Sequence, residues 1–196
     1  RDRPFLRFDY SGHGLSDGHF VQSTISSWLR DTLDVVDKLT AGPQILVGSS
    51  MGGWLAMLAA LARPDRIAGL VLIAPACDFT ERLIWANLSE SARRAIAETG
   101  VWLRPSQYGP EPYPITRALI EDGRGHLLMD REIPVDCPVR IIHGLQDPDV
   151  PWRHGLALVE LLRSRDVTFE LIKSGDHRLS DRASLARIDA LVEGLS

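Results

Sequence analysis

Short, strand-like apolar runs alternate along the chain with longer segments in which apolar positions recur every three or four residues. The short runs predict strands at residues 5–10, 45–47, 69–74, 139–143 and 167–172. The periodic segments predict helices at residues 23–40, 51–62, 152–164 and 180–194. Continuous apolar runs are typical of strands covered on both faces, and helices separate them here. The pattern therefore predicts βαβ units, an α/β fold and a mostly parallel sheet flanked by helices.

The segment from about residue 76 to 134 interrupts this alternation. It contains no buried strand run, it is rich in proline, and it offers helical patches at 81–98 and 115–121. We expect a helical cap inserted over the carboxyl edge of the sheet. The sequence thus predicts a single domain over 1–196, with a core formed by 1–75 and 135–196.

Composition and charge exclude several function classes. The chain has 196 residues and a mass of 21.7 kDa, which is enough for one large domain with a hydrophobic core. The formal net charge is −4, and no block of Lys and Arg stands out, so we expect no nucleic-acid partner. The most apolar stretch, residues 51–62, is too short to span a bilayer.

Cysteine usage and the first residues bear on location. Cys77 and Cys137 lie far apart and outside any disulfide or metal-ligand pattern, which is typical of a reducing compartment. Residues 1–20 contain no apolar segment of a secretory signal. These two observations predict a cytoplasmic location, with a mitochondrial one as the alternative if a targeting segment has been lost.

Residues 48–52 read Gly-Ser-Ser-Met-Gly and lie between a predicted strand and a predicted helix. This context is required for a nucleophile elbow, the sharp turn that exposes a serine hydroxyl. The two glycines leave room around Ser50, whereas a turn centred on Ser49 would be flanked by bulkier side chains. At the start of the helix, the N–H of Met51 could stabilise an oxyanion. The alternative is a plain glycine turn, and the flanking elements favour the elbow.

An acidic loop and a histidine follow two later strands. Asp147 and Asp149 come after the strand 139–143, where an acid can orient a histidine, and spacing alone leaves the choice between them open. The alternative is a polar loop whose aspartates cap the next helix. His177 follows the last strand and could take a proton from the serine. The chain order Ser, Asp, His is that of α/β-hydrolases.

Other aromatic and histidine residues are interpreted as structural. His143 ends a strand beside the acidic loop, and no group of histidines and acids has convincing metal-ligand spacing. Trp28 and Trp54 fall on apolar helix faces and are predicted in the core. Trp85 and Trp102 lie in the cap segment, where an acyl pocket and core packing explain them equally well.

Residues 7–12, 42–50, 143–152 and 176–178 resemble motifs of the α/β-hydrolase family. They are most similar to the branch that contains the mitochondrial S-depalmitoylase and mycophenolic acyl-glucuronide esterase, over nearly the whole chain. The resemblance implies a triad of Ser50, Asp147 and His177, because the pattern H-G-x-x-D-x-x-V-P places the acid at Asp147. It also implies hydrolysis of carboxylic esters or thioesters with a medium or long acyl chain.

By the same resemblance, residues 5–10 match the family's fourth strand. The third strand, whose loop supplies a second oxyanion N–H, is absent from these 196 residues, so we expect the natural protein to be longer. If these residues were the whole molecule, half an oxyanion hole would raise the reaction barrier by about 3–4 kcal/mol.

The function predicted from sequence is therefore that of a serine esterase or thioesterase, of the palmitoyl-protein hydrolase type, working through an acyl-enzyme intermediate. Its substrates would be small molecules or acylated proteins, and it would need no metal or organic cofactor. Two alternatives stay open. The same triad could act on peptide or carbon–carbon bonds, or a catalytically impaired fold could serve in binding.

Overall fold

The computed structural model describes residues 4–105 and 112–195. Within them, six strands follow one another as β1 Gln44–Ser49, β2 Ile67–Ile73, β3 Val101–Arg104, β4 Tyr113–Thr116, β5 Val139–Gly144 and β6 Val167–Ile172. Six α-helices are α1 Ile25–Leu39, α2 Met51–Ala62, α3 Glu90–Thr99, α4 Arg117–Arg124, α5 Trp152–Leu161 and α6 Arg182–Glu193. The helices predicted at 23–40, 51–62, 152–164 and 180–194 are confirmed as α1, α2, α5 and α6, within about three residues at their ends.

The main sheet is parallel, with the strand order β1-β2-β5-β6. Alternate residues of its central strands point to opposite faces. Leu72 and Ile141 belong to the larger core, which also contains residues of α2 and α5. Ile73 and Ile142 face the other way and pack near α6. Helices therefore cover both faces, and the predicted α/β architecture with a mostly parallel sheet is confirmed.

Helix α1 shows how local sequence signals set an element. Thr24 caps its start through a reciprocal pair of hydrogen bonds with Ser27, which satisfies N–H groups that lack an intrahelical acceptor. Trp28 is fully buried, as is Trp54 on α2, so the prediction that both lie in the core is confirmed. Burying large aromatic side chains is the main energetic reason why α1 and α2 lie against each other and the sheet.

Two expectations about the start of the sheet are wrong. The strand predicted at residues 5–10 does not form, and Phe5 is 83% exposed. A strand needs a neighbour to complete its hydrogen-bond ladder, and none of the described strands lies beside this segment. The run 45–47 does form β1, but it is the edge of the described sheet, so Val47 is 46% exposed instead of covered on both faces.

The segment between β2 and β5 is less helical than predicted. It contains the antiparallel pair β3–β4, whose strand β4 tolerates a proline because each strand of a two-stranded pair has an open edge. The helix predicted at 81–98 is broken into a π-helical turn, a short 3-10 turn and α3. The patch at 115–121 corresponds to α4, which begins after β4. The predicted boundaries 76 and 134 of the cap stay a prediction.

This segment has a hydrophobic cluster of its own, formed by Ile84, Ile96, Ile115 and Ile120. Trp85 and Trp102 pack against that cluster, which favours the packing interpretation of these two residues. Asp78 joins the two ends of the segment, because its buried carboxylate accepts the N–H groups of Leu128 and Met129, each at 2.8 Å. These two bonds hold the beginning of the segment against its end. No helix among the described residues has the length and hydropathy that crossing a membrane requires.

Candidate active site

The turn after β1 holds Ser50 in a strained backbone conformation. Its φ of 52° and ψ of −118° lie outside the regions that non-glycine residues normally occupy, at a cost of about 1–3 kcal/mol. Two backbone bonds hold the turn in place: the Ser50 N–H donates to Ile73 O at 2.8 Å, and the Ala76 N–H donates to Ser50 O at 3.1 Å. The end of β2 and the residues after it therefore fix the serine at the carboxyl edge of the sheet.

The glycines around Ser50 are not equally necessary. A Cβ on Gly48 would lie 2.3 Å from Gly52 O, and one on Gly53 would lie 2.9 Å from Pro75 Cβ. A Cβ on Gly52 would meet only Tyr10 Oη, at 3.7 Å. The expectation that both motif glycines leave room for the turn is therefore wrong for Gly52, because the close backbone approach involves Gly48 and Gly53.

Met51 is the first residue of α2, with Ser50 as the N-cap. Its N–H is one of the four at a helix start that have no intrahelical acceptor, and it lies at the positive end of the helix dipole. An anion that develops beside Ser50 would find this donor already in place. That position agrees with the oxyanion role predicted for Met51, which stays a prediction.

Asp147 has a fully buried side chain in the loop after β5. Its Oδ1 accepts the N–H groups of Asp149 at 2.8 Å and Val150 at 2.9 Å, while its Oδ2 accepts His177 Nδ1 at 2.7 Å. Burial alone would raise the pKa of Asp147, but these bonds together with His143 outweigh it and hold the pKa well below its usual value. Asp147 is therefore a buried, ionised hydrogen-bond acceptor.

His177, in the loop after β6, keeps 15% of its side chain exposed. Burial lowers its pKa, yet the hydrogen bond and the negative charge of Asp147 outweigh burial, so the pKa of His177 is raised above its ordinary value. Because Nδ1 donates to Asp147, the other ring nitrogen of the neutral form is Nε2, a proton acceptor. A histidine held in this tautomer can act as a general base.

The three sequence-predicted residues follow β1, β5 and β6, which are parallel, so they lie at the same edge of the sheet. The structure brings His177 and Asp147 into contact, and no hydrogen bond joins Ser50 to His177 among the described residues. Asp149, which spacing left as an alternative acid, lies with its Oδ1 3.8 Å from Arg104 Nη2 of β3 and is also close to His177.

One potential cation-binding group occurs in the described part of the chain. Ligand atoms of Asp147, Asp149 and His177 all lie within 4.8 Å of one another. Both carboxylate oxygens of Asp147 already accept hydrogen bonds, Oδ1 from two backbone N–H groups and Oδ2 from His177.

Sequence reasoning missed a glycine that lets the two loops meet. A Cβ on Gly144, at the end of β5, would lie 2.3 Å from Asp176 O and 2.4 Å from Gly175 O. The loop that carries His177 therefore passes directly over the end of β5, beside the loop that carries Asp147. The His-Gly pair at positions 143 and 144, immediately after an apolar run, was the available signal.

A second serine–histidine contact involves residues outside the candidate triad. Ser26 Oγ is 2.7 Å from His126 Nε2, and Asp122 accepts the Ser26 N–H at 2.8 Å. The carboxylate thus bonds to the backbone at the start of α1 instead of orienting the histidine. This contact links α1 to the segment between β2 and β5, and it provides a control for serine reactivity.

Comparisons with known proteins agree with the α/β fold described above. A family model described as "Serine aminopeptidase, S33" matches residues 2–121. A structure of a hydrolase from Agrobacterium vitis S4 superimposes with a TM-score of 0.93 at 46% identity, over 96% of this chain and 75% of that one. The chain belongs to the α/β-hydrolase family. Mouse "Alpha/beta hydrolase domain-containing protein 10" gives a TM-score of 0.86 at 40% identity, over 97% of this chain and 78% of its own.

Two curated α/β-hydrolase relatives carry names that specify an activity. Mouse "Palmitoyl-protein thioesterase ABHD10, mitochondrial" is 42% identical over 98% of this chain and 66% of its own length. Human "Monoglyceride lipase" is 43% identical over 87% of this chain and 65% of its own length. The chain thus spans about two thirds of the length of the curated relatives it matches.

Proposed function

We propose that the chain belongs to a serine hydrolase that cleaves carboxylic esters or thioesters through Ser50, His177 and Asp147. The observation that carries the proposal is the 2.7 Å bond from His177 Nδ1 to the buried Asp147 carboxylate, at the edge of the sheet where Ser50 occupies its strained turn. The thioesterase and lipase names of the relatives support ester and thioester substrates, including acylated proteins and small molecules.

In the proposed reaction, His177 Nε2 takes the proton of the Ser50 hydroxyl, and Ser50 Oγ attacks the acyl carbonyl carbon. The Met51 N–H donates to the oxyanion of the tetrahedral intermediate. Collapse of the intermediate breaks the bond to the leaving thiolate or alkoxide, which receives the proton from His177. Water then attacks the acyl-enzyme by the same steps, releasing a carboxylic acid and restoring Ser50. Asp147 stays ionised throughout and stabilises the imidazolium.

The test is covalent labelling with a fluorophosphonate probe, read by intact mass. We expect one adduct on the wild-type protein and none on Ser50→Ala. Ser26→Ala is the matched control, because Ser26 Oγ lies 2.7 Å from His126 Nε2 outside the proposed triad, and it should keep the adduct. An adduct retained by Ser50→Ala would overturn the assignment of the nucleophile. If the folded 196-residue chain takes no adduct, either residues of a longer natural protein are required or the fold serves in binding, and repeating the labelling on the longer protein separates these two outcomes.

A panel of substrates separates the reaction classes. We expect turnover of an acyl thioester and of p-nitrophenyl octanoate. The description of the matching family model as a serine aminopeptidase favours one second candidate, peptide hydrolysis, so the panel includes an aminopeptidase substrate. Faster turnover of the aminopeptidase substrate than of both acyl substrates would move the proposal to that class.

The printed names of the relatives also bear on location. Each thioesterase relative is named as mitochondrial, which supports the mitochondrial alternative for this protein. The cytoplasmic location stays a prediction from composition. Fractionation of cells that express the natural protein distinguishes the two.

A further inference from the structure

His143 lies behind the candidate acid and takes no part in the reaction proposed above. Its side chain is fully buried at the end of β5. Nε2 is 2.9 Å from Val150 O and 3.4 Å from Asp147 Oδ2. Nδ1 is buried without a hydrogen-bond partner. A buried imidazole with one engaged and one orphaned nitrogen needs an explanation, because leaving a buried polar atom unpaired costs about 1–3 kcal/mol.

The surroundings determine which nitrogen of His143 carries the proton. A backbone carbonyl can only accept, so the contact with Val150 O requires a proton on Nε2. Nδ1 faces Gly155 of α5, where a Cβ would lie only 2.7 Å away, and it finds no acceptor there. A second proton on Nδ1 would therefore be buried without a partner. The geometry makes His143 a neutral donor with its N–H directed at the loop of the acid.

That N–H closes a ring of contacts around Asp147. The Val150 N–H donates to Asp147 Oδ1, Val150 O accepts from His143, and the same His143 nitrogen lies beside Asp147 Oδ2. Oδ2 is also the oxygen that accepts His177 Nδ1. The loop between Asp147 and Val150 therefore cannot shift without breaking the His143 contact.

We infer that His143 is a positioning residue, a neutral buried donor that fixes the Asp147 carboxylate in the orientation in which Oδ2 meets His177. The inference rests on the proposed function of Ser50, His177 and Asp147. On its other side, the imidazole of His143 lies against Gly155 and Phe169. The centroids of the imidazole and of the Phe169 ring are 6.2 Å apart.

Three substitutions of His143 separate hydrogen bonding from packing. His143→Phe keeps an aromatic ring and removes the donor. The amide of His143→Gln reaches about as far as Nε2 and can donate to the same acceptors, whereas that of His143→Asn reaches only as far as Nδ1. With p-nitrophenyl octanoate we expect kcat to fall about tenfold in the Phe and Asn variants, at a KM within twofold of wild type. His143→Gln should stay within threefold.

A second readout is independent of turnover. In wild type, proton NMR should show a downfield resonance from the His177 Nδ1–H that is bonded to Asp147, and ring ¹⁵N shifts should assign the Nε2–H tautomer to His143. The downfield signal should broaden or vanish in His143→Phe and persist in His143→Gln. Melting temperatures of all variants establish that each is folded.

The outcomes distinguish the two proposals. If wild type neither hydrolyses the ester nor takes a fluorophosphonate, the proposed function fails, and the NMR signals alone decide the inference about His143. If wild type is active and folded His143→Phe keeps both its kcat within twofold and its downfield signal, the inference is overturned. Equal losses in the Phe and Gln variants would also overturn it, because packing and not donation would then be responsible.

Discussion

Asp147 and Ser50 follow strands with different surroundings. β5 lies between β2 and β6 in the interior of the main sheet, and Ile141 within it is fully buried. β1 is the edge strand of the described sheet, and Val47 within it is about half exposed. On the acid side, burial and hydrogen bonds to both oxygens hold the Asp147 carboxylate. On the serine side, close backbone packing at glycines holds a strained turn.

The acid side and the serine side are therefore sensitive to different kinds of substitution. Removing charge from Asp147 changes the electrostatics and the tautomer of its partner while the backbone stays in place. Adding volume at Gly48 moves the backbone itself, because the nearest atoms there belong to the main chain. The predictions below use substitutions that affect one side and leave a matched position as control.

The largest expected effect comes from Asp147→Asn. The amide would present a donor or a neutral oxygen to His177 Nδ1. His177 then loses the tautomer in which Nε2 accepts a proton, and it loses the negative charge of Asp147 that stabilises its protonated form. We expect kcat with p-nitrophenyl octanoate to fall by roughly 10⁴-fold. Asp149→Asn is the control and should lose less than tenfold, because Asp149 lies against Arg104. A larger loss of kcat in Asp149→Asn than in Asp147→Asn would identify Asp149 as the acid.

The next prediction compares the two strands. Ile141→Ala leaves a cavity in the core and should lower the free energy of unfolding by about 2–5 kcal/mol. Val47→Ala in the same 196-residue chain should lower it by at most about 1 kcal/mol, because half of that side chain already contacts solvent. Urea unfolding measures both. Equal costs at the two positions would contradict the description of β1 as an edge strand.

On the serine side, Gly48→Ala places a Cβ within 2.3 Å of Gly52 O, and the backbone must move. We expect the free energy of unfolding to fall by about 1–3 kcal/mol. We also expect the protein to lose fluorophosphonate labelling. Gly52→Ala is the matched control inside the same motif. Its Cβ meets only Tyr10 Oη, and alanine favours the helix by up to about 1 kcal/mol, so stability should hold or rise. A greater cost at Gly52 would contradict this assignment of the close contact.

The smallest expected effect is a shift in pH dependence. His177 must be neutral to act as a base, and its pKa is raised by Asp147, so kcat/KM should fall as the pH drops through a value above about 6.5. In Asp147→Asn the residual activity should show this limb at lower pH, because the charge and the hydrogen bond of Asp147 that raise the His177 pKa are gone, although Asp149 and Asp176 remain. A pH–rate profile of both proteins measures the shift. An unchanged limb would mean that another group titrates.

The pKa shifts of His177 and Asp147 both stabilise the folded protein, but over different pH ranges. The raised pKa of His177 contributes stability at low pH that is lost as the pH rises through that value. The lowered pKa of Asp147 contributes stability above its ordinary value near 3.8, lost as the pH falls through its folded-state value. The protein should therefore keep both contributions only in mildly acidic to near-neutral solution.

Local sequence signals determined the elements that carry the candidate site. An apolar run followed by Gly-x-Ser-x-Gly specified β1, the turn and α2, and periodicity with a capping threonine specified α1. The cap, the periodicity and the turn glycines act between residues close in the chain, which is why these elements could be predicted, although β1 also pairs with β2. The resemblance to α/β-hydrolases added the choice of Asp147 over Asp149, which spacing had left open.

Only the tertiary structure decided which groups lie against one another. Residues 5–10 have strand-like composition, yet they form no strand, because a strand depends on a partner that composition does not encode. The hairpin β3–β4 was missed for the related reason that its stability comes from pairing and from a small separate cluster. The contacts of His143 with the acid loop, and of Gly144 with the histidine loop, join residues far apart in the chain. Sequence patterns record local periodicity, whereas these contacts arise from the packing of distant strands and loops.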